Sequence, residues 1–274
     1  MDDEGDDIMV PYLGLVGEIG SVITEIKKKI RDGLKYRDFK QNLSEELGDV
    51  LWYLTTIATR NGLSLEEIGK KNIKKINDRW SKKNLFKGAL YDDNFPEQER
   101  LPREFEVEFF ETNDGGKKIV KFKVDGKEYG DPLTDNTYDD SGYRYHDIFH
   151  FGYVAFLGWS PVLRKLLGKK RKSVKKIDEV EDGGRAYAIE EGLSAFIYSK
   201  SLESKNFEGI TTIDYDFLRI LRKFVNGLEV SNRSLLEWQT AILQSYEIFR
   251  RLKKEKGGRV LVSLKNRKLI FIGK

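Results

Sequence analysis

Residues 11–31 read PYLGLVGEIGSVITEIKKKIR, and their apolar side chains recur at every third or fourth position. The apolar positions are Leu15, Ile19, Val22, Ile23, Ile26 and Ile30. This spacing is typical of an amphipathic helix, and Gly33 is a plausible end for it. The stretch therefore predicts a first helix that packs through one face.

Two further helices are predicted close behind. Asn42 followed by Glu45 resembles a capping box, and an apolar stripe follows it and ends near Gly62. Ser64 followed by Glu67 repeats that signature and opens a third helix that runs to about residue 80. Short connections favour antiparallel neighbours, so this part of the chain is predicted to be a helical bundle.

The pattern changes beyond the third helix. Alternating apolar residues on both sides of the turn Asn113-Asp-Gly-Gly116 predict a β-hairpin, and a similar alternation from Val260 to Phe271 predicts a second, small one. Helical periodicity returns from about Tyr143, and the signature of Ser234 followed by Glu237 precedes the last predicted helix, from about Leu235 to Lys253. The predicted fold is mainly α: a helical bundle (1–92), a β-hairpin connector (93–135) and a mostly helical domain that ends in the small hairpin (136–274).

The composition of the chain argues against several classes of protein. The net charge is +4, which is too small for the strong global field of an obligate nucleic-acid binder. There are no cysteines, so a disulfide scaffold and a zinc ribbon are excluded. Five of the first seven residues are acidic and no apolar run approaches roughly 20 residues, so we expect a soluble, cytoplasmic protein without a membrane partner.

Three carboxylates in the first two helices indicate a metal site. Glu46 and Asp49 lie three residues apart and so share a helix face, and Glu18 lies on the preceding helix. Facing helices could converge these oxygens on Mg²⁺, a hard cation that often bridges to phosphates. On the third helix Asn72, Lys75 and Arg79 share a face that could bind those phosphates.

Three stretches in order resemble the MazG-like nucleotide pyrophosphohydrolases: LGLVGEIG at 13–20, ELGDVLWY at 46–53 and NIKKINDR at 72–79. The resemblance implies an all-α bundle that forms a homodimer or homotetramer. It also implies Mg²⁺-dependent cleavage of a nucleoside triphosphate into a monophosphate and pyrophosphate. Carried over by motif, Glu18, Glu46 and Asp49 are metal ligands and catalytic residues. Asn72 and Lys75 are then expected to hold phosphate, with Trp52 near the base.

Two departures from the family pattern affect this expectation. The first motif of the family is Glu-x-x-Glu, but here its second position is Ser21. Glu25, one turn further on, is a candidate to reach back as a replacement ligand; the alternative is a weaker, single-metal site. Only about ten residues precede the motif where the family usually has another helix, so part of the substrate pocket is expected to be absent or supplied by another segment.

Both histidines of the chain fall within five residues, at His146 and His150. On a helix this separation lets two imidazoles bind one metal, and Asp147 adds a further ligand or a hydrogen-bond acceptor. Glu190 and Glu191 on a later predicted helix could complete an open site that activates water. The alternative is a core histidine and a surface histidine, with one glutamate paired to an arginine.

A dense basic segment at 164–176 is followed directly by acidic residues, so we expect a solvated loop there.

The leading hypothesis for function is nucleotide pyrophosphohydrolysis in nucleotide-pool cleansing or nucleotide-based defence. The alternative is a catalytically weakened nucleotide sensor or oligomerisation module, with the C-terminal domain as effector or metal-dependent hydrolase.

Overall fold

The chain forms two compact units, one up to Ile76 and one from Asn77 onward. The computed structural model describes residues 4–82, 85–86 and 88–274. The prediction of a mainly α fold is confirmed. The division after Ile76 differs from the predicted boundary at 92 and falls inside the third helix, which runs to Trp80.

The first unit is built on two long helices, α1 (Glu4–Asp32) and α2 (Phe39–Arg60), which pack against each other. They are antiparallel, since residues near the start of α1 meet residues near the end of α2. Asn61 Nδ2 donates to the Tyr12 hydroxyl at 3.3 Å, and Gly14 lies against the Tyr53 ring so closely that a Cβ would come within 2.3 Å of it. The third helix, α3 (Leu65–Trp80), follows Ser64, whose hydroxyl accepts the Glu67 N–H.

The predicted capping box at Asn42 is wrong. α2 begins at Phe39, three residues earlier, and the Asn42 amide donates to the Tyr36 hydroxyl at 2.6 Å instead of capping the helix. The first helix also extends further than predicted, because Pro11 lies inside it and not at its start.

A five-stranded antiparallel sheet lies in the second unit, in the order β3-β2-β1-β4-β5. Its strands are β1 (Glu104–Asp114), β2 (Lys117–Val124), β3 (Lys127–Leu133), β4 (Gly257–Ser263) and β5 (Lys268–Gly273). Both predicted hairpins are present, but β1 pairs with β4 from Glu104↔Ser263 to Phe110↔Gly257. The segment predicted as a separate connector is therefore part of the sheet of the second unit, because the edge of one hairpin completes the hydrogen bonds of the other.

The helices of the second unit are α4 (Asp147–Leu157), α5 (Pro161–Leu166), α6 (Lys175–Val180), α7 (Gly184–Ser201), α8 (Tyr215–Phe224) and α9 (Leu235–Glu255). The predicted capping box of Ser234 and Glu237 opens α9. The sequence of α4 is apolar on every side, and every residue of the helix is buried. Phe151 packs on sheet residues Phe105, Phe109 and Phe122. On another side of α4, Gly152 lies against Ser245 and lets α9 approach closely.

The basic segment is not a solvated loop throughout. Arg164 and Arg171 are fully buried, and both guanidiniums pair with Asp182. Arg171 also pairs with Glu229 at 2.7 Å, and Arg164 with Asp92 at 2.9 Å. Adjacent acids neutralise the segment by direct contact, so these two arginines are structural.

Helix α1 also corrects the expectation that no apolar run approaches spanning length. Within the described residues, Ile8–Lys35 is long and apolar enough to cross a membrane by length and composition alone. Mostly buried core helices of soluble proteins and signal sequences near the N-terminus pass the same test; this window is near the N-terminus and 11% buried. Cytoplasmic location stays a prediction.

Candidate functional site

The three predicted carboxylates of the first unit come together between α1 and α2. One oxygen from each of Glu18, Glu46 and Asp49 lies within 4.8 Å of the others. Glu18 and Glu46 are half-buried and Asp49 is exposed, so the cluster opens to solvent. Antiparallel packing brings Glu18 opposite the i, i+3 pair of α2 and so produces this convergence. An all-oxygen donor set of this size suits a hard divalent cation with open positions for water or phosphate.

Glu25 lies in a different set of contacts. Its buried carboxylate pairs with Lys28 Nζ at 2.5 Å and accepts from the Tyr36 hydroxyl. The hydrogen bond from Lys28, followed by that from Tyr36, holds the pKa of Glu25 below its ordinary value. Glu25 therefore joins α1 to the turn before α2, and the expectation that it replaces the ligand missing at Ser21 is not supported by these contacts.

The predicted substrate-binding residues lie on different helices. Trp52 is 61% exposed on α2 and borders a shallow pocket of about 310 Å³ with Thr55, Thr56 and Thr59. Asn72 and Lys75 lie on exposed positions of α3, whereas the carboxylate cluster is formed by α1 and α2 alone.

Arg79 does not share the environment of Asn72 and Lys75. It is 7% exposed, donates to the carbonyl of Ile213, and stacks against the rings of Trp80 and Tyr215 at 4.8 and 5.7 Å. The prediction of a phosphate-binding face shared by all three residues is therefore wrong for Arg79. Helical spacing gave the shared face, but the partners that bury Arg79 are more than 130 residues away in the sequence.

A second cluster is formed in the second unit by His146, Asp147 and His150. All three are buried, and one ligand atom from each lies within 4.8 Å of the others. His146 is the residue before α4 and its Nδ1 lies 3.0 Å from the carbonyl of Tyr143. His150, one turn into α4, has its Nδ1 at 2.8 Å from Glu190 Oε1.

The two neighbouring glutamates of α7 have different positions. Glu190 is fully buried and accepts from Ser160 Oγ at 2.7 Å and from the Val162 N–H at 2.8 Å, besides His150. Glu191 is partly exposed, and its Oε2 lies 3.6 Å from His150 Nε2. Glu190 therefore holds the Nδ1 side of the His150 ring, while Glu191 lies on its Nε2 side.

In this cluster, burial and neighbouring charges shift the pKa values of the side chains in opposite directions. Burial lowers the pKa of His146 and raises that of Asp147. For His150 burial also favours the neutral ring, but the charge of Glu190 outweighs it and raises the pKa to about 10. Burial would raise the pKa of Glu191, but the charge of His150, whose Nε2 lies 3.6 Å away, outweighs burial and lowers it.

Sequence reasoning missed Ser160 and Tyr187. Ser160 caps α5 by accepting the Leu163 N–H while it donates to Glu190, and the dipeptide Ser160-Pro161 is a helix-start signal that could have located it. Tyr187 precedes Glu191 by one helical turn; burial and then the charge of Glu191 raise the pKa of Tyr187 to about 12.

Comparisons with known proteins match both units. A family model of the MazG nucleotide pyrophosphohydrolase domain matches residues 9–84, and one of the MazG C-terminal domain matches residues 87–274. The Gene 37 protein of Mycobacterium phage L5 is 35% identical over 69 residues, which are 24% of this chain and 60% of that protein. The chain thus spans less than two thirds of that relative. No solved structure matches the chain.

Proposed function

Because this chain belongs to the MazG family, with a nucleotide pyrophosphohydrolase domain and a MazG C-terminal domain, we propose that it is a Mg²⁺-dependent nucleoside triphosphate pyrophosphohydrolase. The reaction would break the phosphoanhydride bond between the α and β phosphates, with water supplying the new oxygen, and release a monophosphate and pyrophosphate. Its role would be nucleotide-pool cleansing or nucleotide-based defence.

The observation that carries this proposal is the convergence of Glu18, Glu46 and Asp49. Spacing alone could not make them meet, since Glu18 is on a different helix from the other two. Their separation fits one divalent cation, and the exposure of Asp49 leaves a path for a phosphate chain. Bound Mg²⁺ would neutralise the charge that develops on the phosphates.

The other residues have roles that follow from their positions. A carboxylate of the cluster that does not hold the cation tightly can accept the proton of the attacking water. Trp52, exposed on the same helix as Glu46 and Asp49, offers an aromatic face on which a base can stack. Asn72 and Lys75 would contact the phosphates.

The natural assembly would be a homodimer or homotetramer. Large apolar side chains on α1 recur at Met9, Leu13, Val16, Ile19, Ile23, Ile26 and Ile30, each at least 43% exposed. This stripe lies apart from the side on which Gly14 contacts α2. The pair α1 and α2 cannot enclose a core by itself, whereas two such pairs can, so we infer that a second copy of the chain covers this stripe.

A screen of ribonucleoside and deoxyribonucleoside triphosphates with Mg²⁺, with products identified by mass spectrometry, tests the activity. We expect a monophosphate and pyrophosphate in equal amounts from at least one triphosphate. Stepwise loss of single phosphates, or no product from any nucleotide, would contradict the proposal.

Ser21 favours a second candidate, a nucleotide sensor that has lost catalysis. A hydroxyl is a poorer ligand for Mg²⁺ than the carboxylate of the family pattern. Calorimetry separates the two functions: nucleotide binding without turnover, unchanged in Glu46→Gln, would identify a sensor. An enzyme is expected to lose turnover in that variant.

A further inference from the structure

We propose that the second unit binds a divalent transition-metal ion, Zn²⁺ being the best match, through His146, His150, Asp147 and Glu191. This site lies in a different unit from the carboxylates of the proposed pyrophosphohydrolase and does not depend on that function. The chemistry also differs, because imidazole nitrogens suit zinc and related metals, whereas the first cluster has only the oxygen donors that Mg²⁺ prefers.

The first step of the argument is the orientation of the two imidazoles. The Nδ1 of His146 is within hydrogen-bond distance of the Tyr143 carbonyl, and that of His150 is within hydrogen-bond distance of Glu190. Acceptors at both Nδ1 atoms favour a proton there, so Nε2 is the atom of each ring through which a metal would be bound, and metal binding would displace any proton from it. A hydrogen bond from the opposite ring nitrogen to a carbonyl or carboxylate is the usual support of a histidine metal ligand.

The second step concerns the His150 Nε2 atom. His150 is fully buried, yet among the residues that the structure describes this nitrogen has no partner within hydrogen-bond distance; Glu191 Oε2 lies 3.6 Å away. A buried polar atom without a partner costs about 1–3 kcal/mol, so such atoms are rare unless something else satisfies them. A metal ion between His150 Nε2 and the neighbouring oxygens would satisfy this atom.

The third step is charge. Three carboxylates, Asp147, Glu190 and Glu191, surround two imidazoles. Within the part of the chain that the structure describes, each ion pair of these carboxylates is with a histidine and none is with an arginine or lysine. The alternative in which a glutamate is paired with an arginine is therefore not observed. A divalent cation would neutralise the excess negative charge.

The cluster is also accessible from one side. The Glu191 side chain is 34% exposed and Tyr143 and Tyr187 are half-buried, whereas His150 and Glu190 behind them are fully buried. Two imidazoles and two carboxylates can hold Zn²⁺ and still leave room for a water molecule on the Glu191 side. Two of the four proposed ligands, Asp147 and His150, lie on the fully buried helix α4, which keeps them in place.

The test uses the two histidines as reporters. Full-length, tag-free, ¹⁵N-labelled protein is titrated with Zn²⁺, and the imidazole nitrogens are followed by NMR; because the chain has only two histidines, every imidazole signal comes from this cluster. We expect both Nε2 signals to shift together at one Zn²⁺ per chain while both Nδ1 atoms stay protonated. Asp147→Asn and Glu191→Gln should each weaken Zn²⁺ binding by at least about 10-fold.

The matched control is Glu203→Gln, an exposed glutamate that pairs with Lys200 and lies outside the cluster, and it should leave Zn²⁺ binding unchanged. Imidazoles that do not respond to a several-fold excess of Zn²⁺ would overturn the proposal and identify a charged His150 held between Glu190 and Glu191. A response of His146 alone would also overturn it, since it would show binding at the edge of the cluster. The wild-type titration decides the matter even if a variant fails to fold.

Discussion

Ser21 lies on α1 one helical turn after Glu18, at the position where the family pattern has a second glutamate. The only other acid proposed for that role, Glu25, is occupied by Lys28 and Tyr36. We therefore expect Ser21→Glu to raise Mg²⁺ affinity, because it adds a carboxylate on the face of Glu18. If the wild type is a weakened enzyme, its rate at limiting Mg²⁺ should rise as well.

Rate against Mg²⁺ concentration measures this effect in wild type, Ser21→Glu and Glu25→Gln. Glu25→Gln should leave the Mg²⁺ dependence unchanged and lower stability instead, because it removes a charge from a structural contact. Superimposable curves for wild type and Ser21→Glu would show that this face of α1 carries no metal.

Asp49 provides the second test at this scale. Replacing Asp49 by Asn removes one charge from the cluster and nearly preserves volume. We expect turnover to fall by at least about 10²-fold, or about 2.7 kcal/mol of transition-state stabilisation. Steady-state kinetics against Asp38→Asn, an acid just before α2 and outside the cluster, checks the effect; equal rates for Asp49→Asn and wild type would exclude Asp49 from the site.

At the scale of elements, apolar periodicity, capping residues and turn residues predict individual helices and hairpins from the sequence. The capping box of Ser234 and Glu237 correctly located the start of α9, and the Asn113–Gly116 turn located the first hairpin. The pairing of β1 with β4 was missed, because it joins strands about 150 residues apart and no local pattern encodes it. Burial of Arg79 was missed for the same reason, since Ile213 and Tyr215, which contact it, are distant in sequence.

The same distinction between local signals and long-range contacts applies to the carboxylate and histidine clusters. Spacing on one helix predicted the pair Glu46 and Asp49 and the proximity of His146 to His150. That Glu190 supports His150 while Glu191 faces the cluster could not be predicted, because the two adjacent residues differ only in where α7 directs them.

Asp92 connects elements of the second unit and gives a pH-dependent prediction. It is 1% exposed and binds Arg164, Arg103 and the Leu101 N–H. Burial would raise its pKa, but Arg164 and the other partners outweigh burial and lower it. Its stabilising contribution is therefore complete above its ordinary pKa, near 4, and is lost as the pH falls through the lowered value.

We expect Asp92→Asn to lower the free energy of unfolding by about 3 kcal/mol at pH 7, because it leaves Arg164 buried with weaker pairing. The difference from wild type should shrink below about pH 4. Denaturation followed by fluorescence of the buried Trp159 and Trp238 reports on this unit, with the exposed Asp131→Asn as control. If the difference in unfolding free energy between Asp92→Asn and wild type does not change with pH, the stabilisation does not come from the ionised Asp92 carboxylate.

At the scale of the whole molecule, the exposed stripe of α1 predicts self-association. We expect sedimentation to give at least a dimer, and Ile23→Lys to weaken association at least about 10-fold, because Ile23 is 59% exposed in the middle of the stripe. Gln41→Lys adds the same charge at an exposed polar position of α2 and should have no effect. A wild type that stays monomeric at high concentration would show that no second copy covers the stripe.

The central claim is that pyrophosphate release occurs at the carboxylates of α1 and α2. The most direct measurement is the Mg²⁺-dependent yield of monophosphate and pyrophosphate, by mass spectrometry, in wild type, Glu46→Gln and Glu45→Gln. Glu45 is adjacent and exposed but outside the cluster, so it isolates the effect of position. We predict that Glu45→Gln keeps the wild-type yield and that Glu46→Gln loses at least about 99% of it. Equal yields in all three proteins, or no pyrophosphate from the wild type, would contradict the claim.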